Sequence, residues 1–405
     1  MAANGAKLSS WKEIAAHLGV GLRTAQRWER DRGLPVHRIP GGPRGLVFAL
    51  PEELDAWRRP VERRPASLRA WWMGAVFLAV AAVPGWYLAR PAPRPALVHA
   101  DPGGIAVSDA QGRALWRWAA PGGLEAGEFQ SAEYAARHSF FADVDGDGET
   151  ETLFAVNPPG VGTRNAELFC FSARGAVKWR FPPGQAVGTR KENFTPMFRI
   201  ENVRLARGSG GRPLIAVESR HWAFYPAQIA VLDGRGKQLR EYWHSGGFLD
   251  MEAADLNHDG RDELYLGGTD NGRKMATMLV LDPETMEGAG DQPNDPDYQL
   301  LGFPPGREIL RVFFPASCIS RANAYRPEVL AFAIQGEQAA IRVRHGVDGG
   351  GVIYGLSPQG KLLNFSLDDG YPERHAKFEA EGRIRHKFDR AKEEEELRNI
   401  EVVRR

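Results

Sequence analysis

The sequence predicts a multidomain chain. A small α+β domain comes first, a single transmembrane helix follows, and an all-β, propeller-like domain makes up the rest. Three observations predict this. The first residues carry helix signals and a surplus of basic side chains, residues 70–89 contain no charged residue, and the rest is a series of short apolar runs separated by Gly and Pro. A length of 405 residues allows two or three domains. Hydrophobic residues at 43% and charged residues at 25% are ordinary for globular protein, which excludes a disordered or collagen-like chain. The net charge of +1 hides an asymmetry: residues 1–70 hold 13 Lys/Arg against 7 Asp/Glu, so the front is basic and the back acidic. A nucleic-acid or membrane-surface partner is therefore expected for the front alone.

Residues 1–66 form the first predicted domain. Ser10-Trp11-Lys12-Glu13 reads as a capping box, and Trp11, Ile14, Ala15 and Leu18 then follow the spacing of one buried helix face. Gly19 to Gly21 breaks this helix, and Gly21 is a permissible cap for a second one from Leu22 to about Arg32. Its outer face carries Arg23, Thr24, Gln26, Arg27 and Arg30. Two short apolar runs around the Gly/Pro turn 40–45 read as a β-hairpin, with Arg38 on one arm and Arg44 at the tip. A third helix opens at Pro51. Two helices about a tight Gly turn, the second with an Arg/Gln/Thr face, make the helix-turn-helix pattern.

Residues 8–59 resemble the winged helix-turn-helix of the MerR/excisionase-like class. The resemblance implies DNA binding, with Arg23, Thr24, Gln26 and Arg27 as base or phosphate contacts and Arg30, Arg38 and Arg44 as phosphate contacts. Gly21 departs from the usual Ser or Thr cap.

Residues 67–89 are read as a juxtamembrane segment and transmembrane helix. Residues 71–89 would span about 28 Å as a helix, close to the thickness of a bilayer core. Trp71 and Trp72 stand at one end, Trp86 and Tyr87 at the other, as in an aromatic belt. Arg58, Arg59, Arg63, Arg64 and Arg69 precede the span, so the positive-inside bias puts the N-terminus in the cytoplasm. The expected location is the cytoplasmic membrane, single-pass, with the C-terminal domain periplasmic or extracellular. Residues 90–96 read as a stiff Pro-rich linker.

Residues 97–375 show two recurring patterns. One is an apolar strand, a Gly turn and a strand often carrying Trp, at 105–118, 167–181, 229–243, 279–288 and 352–367. The other is a polar loop feeding an apolar strand, at 143–156, 209–219, 255–268 and 324–334. A repeat of roughly 50 to 75 residues predicts a β-propeller. The repeated Trp is expected to pack between blades. Two of the polar loops are acidic. One presents Asp143, Asp145, Asp147, Glu149 and Glu151, the other Asp255, Asn257, Asp259, Arg261 and Glu263. Oxygen side chains at loop positions 1, 3, 5 and 9 with Gly at 6 suit Ca2+, with the Glu149 and Arg261 carbonyls completing each set. These loops resemble FG-GAP/VCBS-type propeller repeats, as in integrin-like heads. The ion is expected to be structural.

His221 beside Trp222, Phe224 and Tyr225, and the pair His138 and His244, are further pocket candidates, although scattered histidines are more often satisfied structural residues. Cys170 and Cys318 have no metal or redox spacing; two buried thiols are the plainer reading and one disulfide the other. No GxSxG, HExxH or Walker loop is present, so no enzyme is expected. Residues 376–405 form a charged tail, with an exposed helix from Asp389 to Ile400 anchored by Leu397 and Ile400.

The function expected from these parts is a membrane-anchored one-component transcriptional regulator. An external propeller would sense an unknown ligand or protein, and homodimerisation would carry the signal to DNA. The alternative is an envelope adhesion or scaffold protein whose helix-turn-helix is a protein-interaction anchor.

Overall fold

The computed structural model describes residues 7–38, 46–59, 92–160, 162, 164–346 and 350–404. The chain divides into two compact units, residues 1–90 and 91–405.

In the first unit, helix α1 (Trp11–Leu18) starts where the sequence places it. Ser10 Oγ accepts from the Glu13 N–H at 3.2 Å, and the Glu13 carboxylate accepts from Ser9 N–H at 2.8 Å, one residue earlier than expected. Gly19, at φ 68°, ends the helix. Helix α2 (Leu22–Arg32) follows with Gly21 as a cap that offers no side-chain bond. Strands β1 (His37–Arg38) and β2 (Val47–Phe48) pair antiparallel, and α3 (Pro51–Arg58) closes the unit. Ile14, Leu18, Leu34, Val47 and Leu54 form its core. The winged helix-turn-helix of the MerR/excisionase-like class is corrected here. Among the described residues the unit is a small, mainly helical piece whose one strand pair is two residues long, and the turn 39–45 with Arg44, the expected wing, lies outside them.

The second unit is mostly β. Its first sheet is β3 (Leu97–Asp101), β4 (Gly104–Ser108) and β5 (Ala114–Ala119). Helix α4 (Ala132–His138) leads into the second sheet: β6 (Ser139–Ala142), β7 (Glu151–Val156), β8 (Glu167–Phe171) and β9 (Val177–Phe181). A short pair, β10 (Val187–Gly188) and β11 (Asn193–Phe194), precedes the third sheet. That sheet is β12 (Phe198–Arg207), β13 (Pro213–His221), β14 (Ala227–Leu232) and β15 (Gln238–His244). The fourth begins with β16 (Phe248–Ala254), β17 (Glu263–Asp270), β18 (Met275–Leu281) and β19 (Leu310–Phe314). After α5 (Cys318–Ala322) comes the fifth: β20 (Glu328–Gln335), β21 (Gln338–Arg344), β22 (Gly351–Leu356) and β23 (Leu362–Leu367). Helices α6 (Gly370–Ala380) and α7 (Arg390–Leu397) follow, and β24 (Glu401–Arg404) returns to pair with β19. Every sheet is an antiparallel meander in chain order, apart from this returning strand.

The core lies between consecutive sheets. Ile105 and Val107 of the first meet Phe154, Phe169 and Phe171 of the second. Leu153, Leu168 and Cys170 point to the other face and meet Val203, Ile215 and Val217 of the third. Similar seams join the third sheet to the fourth and the fourth to the fifth. Both faces of the inner strands are thus buried, which is why they read as apolar runs rather than alternating ones.

Trp116 and Trp179 fasten the first two seams, whereas Trp243 packs among Phe198, Leu300 and Phe303. Four of the five strand–turn–strand repeats turn at Asp109–Gly112, Ser172–Gly175, Asp233–Gly236 and Ser357–Gly360, while the copy at 279–288 turns at Asp282 without a glycine. The first side chain of each turn accepts a backbone N–H two or four residues on. The glycines stand at φ between +72° and +85°. Trp116 of the first sheet lies on the Gly175 turn of the second, and Trp179 lies on the Gly236 turn of the third, its Nε1–H donating to the Gly234 carbonyl at 3.0 Å.

The closed propeller of FG-GAP/VCBS type is corrected. Among the described residues there are seven separate sheets, and the last strand joins the fourth sheet, not the first. The first sheet therefore keeps only three strands, all from one end of the chain, and no shared sheet stitches the two ends together. The single-pass membrane location is also corrected: among the described residues no helix is long and apolar enough to cross a membrane, and the span read over 71–89 lies outside them. The charged tail is packed, since Leu397 is fully buried and its carbonyl accepts from Tyr354 Oη–H at 3.0 Å.

A Cβ at Gly236 would lie 2.5 Å from the Trp179 ring in addition to straining a φ of +79°. Gly236→Ala is expected to cost about 3 kcal/mol. Gly210→Ala, at φ +68° with nothing within 4 Å, should cost only about 1 kcal/mol. Urea denaturation of the two variants checks the difference; equal costs would remove the Trp-on-Gly contact from the account.

Candidate functional site

The two acidic loops occupy equivalent places, joining the first and second strands of the second and fourth sheets. Their turns share one construction. The Asp143 carboxylate accepts from Gly146 N–H at 2.7 Å and Gly148 N–H at 2.9 Å. The Asp255 carboxylate accepts from Asp259 N–H at 3.0 Å and Gly260 N–H at 2.9 Å. In the first loop the ligand oxygens of Asp143, Asp145, Asp147 and Glu151 lie within 4.8 Å of one another. Glu151 is fully buried, one oxygen accepting from Val144 N–H at 3.0 Å. The loop is seated on the third sheet: a Cβ at Gly234 would lie 1.9 Å from the Val144 carbonyl.

The first loop already holds one positive charge. Lys178 on β9 places Nζ at 2.6 Å from Asp145, 2.9 Å from Asp147 and 3.0 Å from Glu151. Burial opposes its charge, but these three bonds push the lysine well above its ordinary range, and they draw Asp147 below its own. The donor set fits a hard cation, because four carboxylates around one ammonium leave an excess of negative charge. Glu149 does not join the side-chain group; its amide donates to Asp147 at 2.8 Å.

The second loop is not gathered in the same way. Asn257 donates its amide to Glu263 at 2.6 Å, and the Arg261 guanidinium holds Asp259 at 2.8 Å. Burial, with Asp259 and Asp255 nearby, pushes Glu263 up to about 7.

In the first unit, Arg23, Thr24, Gln26, Arg27 and Arg30 line one open hollow with Glu29. Arg38 is held by Glu29 at 2.6 Å and Arg30 by Asp31 at 3.2 Å, so two of the expected phosphate contacts are engaged with carboxylates.

A pocket that sequence reasoning named only in part lies where the third, fourth and fifth sheets meet. Their first strands β12, β16 and β20 pack side by side. The pocket holds about 260 Å3, and its lining includes Arg220, Phe224, Tyr225, Asn271, Tyr298 and Arg326. Phe224 is 72% exposed at φ +73°, with the Arg220 guanidinium 5.4 Å from its ring. Behind it, Glu201 takes Arg220 at 2.8 Å and Arg199 at 2.9 Å. His138 and His244 are buried and bonded to backbone carbonyls, and His221 meets Thr195 Oγ1 at 3.2 Å, so all three are structural. Cys170 and Cys318 are free and buried.

No known protein family matches the chain, and no curated protein matches it. Among solved structures the chain is similar to the V. cholerae biofilm matrix protein Bap1. Identity is 12% and the TM-score 0.24, over 69% of this chain and 49% of that one. The chain thus spans about half the length of that protein. Nothing found points to a DNA-binding regulator. DNA as the partner of residues 1–66 and the membrane as the partner of residues 71–89 are accordingly withdrawn.

Glu218, two residues before Arg220 on β13, is fully buried with one oxygen bonded to Asn202 at 2.9 Å. Burial, then the nearby Glu201, push it up to about 8. The folded state thus binds a proton that the unfolded state releases near pH 4.5. Stability should fall as pH rises from about 4.5 to about 8, by a few kcal/mol in all. In Glu218→Gln this part of the slope should vanish, which chemical denaturation across that window would reveal.

Proposed function

We propose that the chain is a binding protein of the adhesion or scaffold kind. Its all-β unit holds a larger partner and performs no chemistry on it. The observation that carries this reading is Phe224: an apolar ring held out in solvent on a left-handed backbone, at the rim of a shallow pocket. Such strain persists where surroundings enforce it, and it concentrates at binding sites. Aromatic and Arg side chains are also what recognition surfaces are built from. The pocket is below the usual range for enclosing a small substrate, about 300–1,000 Å3. It suits one side chain or ring of a larger molecule. The charged groups behind it are consumed in fixed ion pairs, which favours recognition over proton transfer.

The test is attachment of beads carrying the purified chain to cells and to extracellular matrix preparations. Phe224→Ala combined with Tyr298→Ala should lower attachment about tenfold or more with an unchanged melting temperature. Attachment at the level of bare beads, or a double variant that attaches as well as the parent, would overturn the reading.

In the same reading the first acidic loop takes a structural Ca2+, displacing the Lys178 ammonium. Asp143, Asp145, Asp147 and Glu151 would hold the ion. Ca2+ at a hundred times its Kd should then stabilise the protein by about 2.7 kcal/mol. Lys178→Met removes the competing charge, so it should bind Ca2+ more tightly than the parent, while Asp145→Asn with Asp147→Asn should not respond. Calorimetric titration of the three proteins distinguishes these outcomes. Equal, negligible heats in all three would reject the ion.

A further inference from the structure

A second group of ligand-type side chains, Cys318, His375, His386 and Glu393, stands at the tail of the second unit, all but His386 buried. Three helices and one loop deliver it. Cys318 is the first residue of α5, whose start is fixed by Ser317 Oγ accepting from Ser320 N–H at 3.1 Å. His375 lies in the middle of α6, His386 in the loop between α6 and α7, and Glu393 in the first turn of α7. Asp389 caps that last helix, accepting from the N–H groups of Ala391 and Lys392.

Four donor atoms converge. His375 Nε2 and His386 Nε2 are 3.3 Å apart. His386 Nε2 is 2.9 Å from Glu393 Oε1, and His375 Nε2 is 3.9 Å from the same oxygen. Cys318 Sγ is 3.3 Å from Glu393 Oε2. All four ligand atoms lie within 4.8 Å of one another. Tetrahedral zinc, with bonds of about 2.0 Å to nitrogen or oxygen and about 2.3 Å to one sulfur, sets its ligand atoms about 3.3–3.5 Å apart. The observed spacings bracket that range.

Hydrogen bonding alone serves this group poorly. The single proton that a neutral His386 can carry on Nε2 faces both an imidazole nitrogen and a carboxylate oxygen. The other imidazole nitrogen of His375, Nδ1, is buried without a partner. Cys318, His375 and Glu393 are all buried, while His386 is half exposed and leaves a way in from solvent. Glu393 opens the acidic run 393–396 and is the one member of that run taken fully inside. A cation in the group accounts for a buried carboxylate beside a buried thiol.

We propose that Cys318, His375, His386 and Glu393 bind one divalent transition ion of the zinc class. One sulfur, two nitrogens and one oxygen form the mixed, borderline-soft donor set that zinc takes in tetrahedral sites. Four protein ligands close the coordination shell, so the ion is structural. It ties α5, which follows the fourth sheet, to the two tail helices. Tyr371 acts as a positioning residue, since its Oη–H donates to Glu393 Oε2 at 2.8 Å and fixes that carboxylate.

The test uses the full chain, purified without a metal-binding tag and dialysed, with bound zinc measured by mass spectrometry. A stoichiometric zinc is expected, and cobalt substitution should give a thiolate-to-metal charge-transfer band in the near ultraviolet. Cys318→Ser should abolish that band. His386→Ala, at the half-exposed position where folding is least at risk, should lose the zinc. Tyr371→Phe should keep the site but weaken it about 10–100-fold. Asp145→Asn with Asp147→Asn should retain zinc fully, which separates this site from the acidic loop. Two results would overturn the proposal. One is zinc and cobalt affinities in the parent no higher than in His386→Ala. The other is a charge-transfer band that survives Cys318→Ser.

Discussion

A three- or four-stranded meander cannot bury two faces by itself, so each sheet of the second unit depends on its neighbours. The apolar seam between consecutive sheets is the contact on which the rest of that unit is built. Strand alternation makes it possible: Phe154 and Leu153, adjacent on β7, serve opposite seams. The Trp-on-Gly contacts then fix how far the first two seams can slide. Trp179 covers a turn with no Cβ at Gly236 and donates to the Gly234 carbonyl, so the ring is held by shape and by one directed bond.

The seams also position the polar sites. The first acidic loop rests on the next sheet at Gly234, where only a glycine admits the Val144 carbonyl. Its carboxylates are therefore held by two sheets at once, and Lys178 reaches them from the edge strand of its own sheet. In the second loop Asn257 and Arg261 take up the carboxylates, and no ammonium is needed to hold the turn closed. Two loops of one sequence pattern thus reach different electrostatic solutions, because their neighbours differ.

Much of this architecture was legible in the sequence because its signals are local. Ser10 and Glu13 announce the first helix, and the turns ending at Gly112, Gly175, Gly236 and Gly360 announce the strand–turn–strand repeats. The repeated Trp was readable as packing between sheets for the same reason. What the repeats could not tell is how the ends of the array are treated. That β24 joins β19 rather than the first sheet is decided by packing across the whole unit. The first unit shows the converse limit. Its helices were readable from capping and spacing, yet an outer face of Arg, Thr and Gln does not by itself specify a nucleic-acid partner. Arg38 meets Glu29 in the fold, a pairing across nine residues that a helical-face reading does not register.

The Cys/His/His/Glu group was illegible for a physical reason. Its ligands stand at positions 318, 375, 386 and 393, with none of the close pairs that mark zinc fingers. The run of charge in the tail reads as a solvated face, and for Glu395 and Glu396 it is. The signal that distinguishes Glu393 is tertiary: Tyr371, Leu397 and Phe378 pack around the helix ends and draw one carboxylate inward. A buried carboxylate is costly unless it is paired or coordinated. The second unit obeys this elsewhere, since the buried Glu308 and Arg311 are paired at 2.8 Å. Glu393 has two imidazoles, a thiol and a phenol instead of a guanidinium. Burial alone does not set it apart, since Glu218 is also buried with no base; a thiol and two imidazole nitrogens converging on the one carboxylate are what single the tail out as a place where charge is supplied from outside the chain.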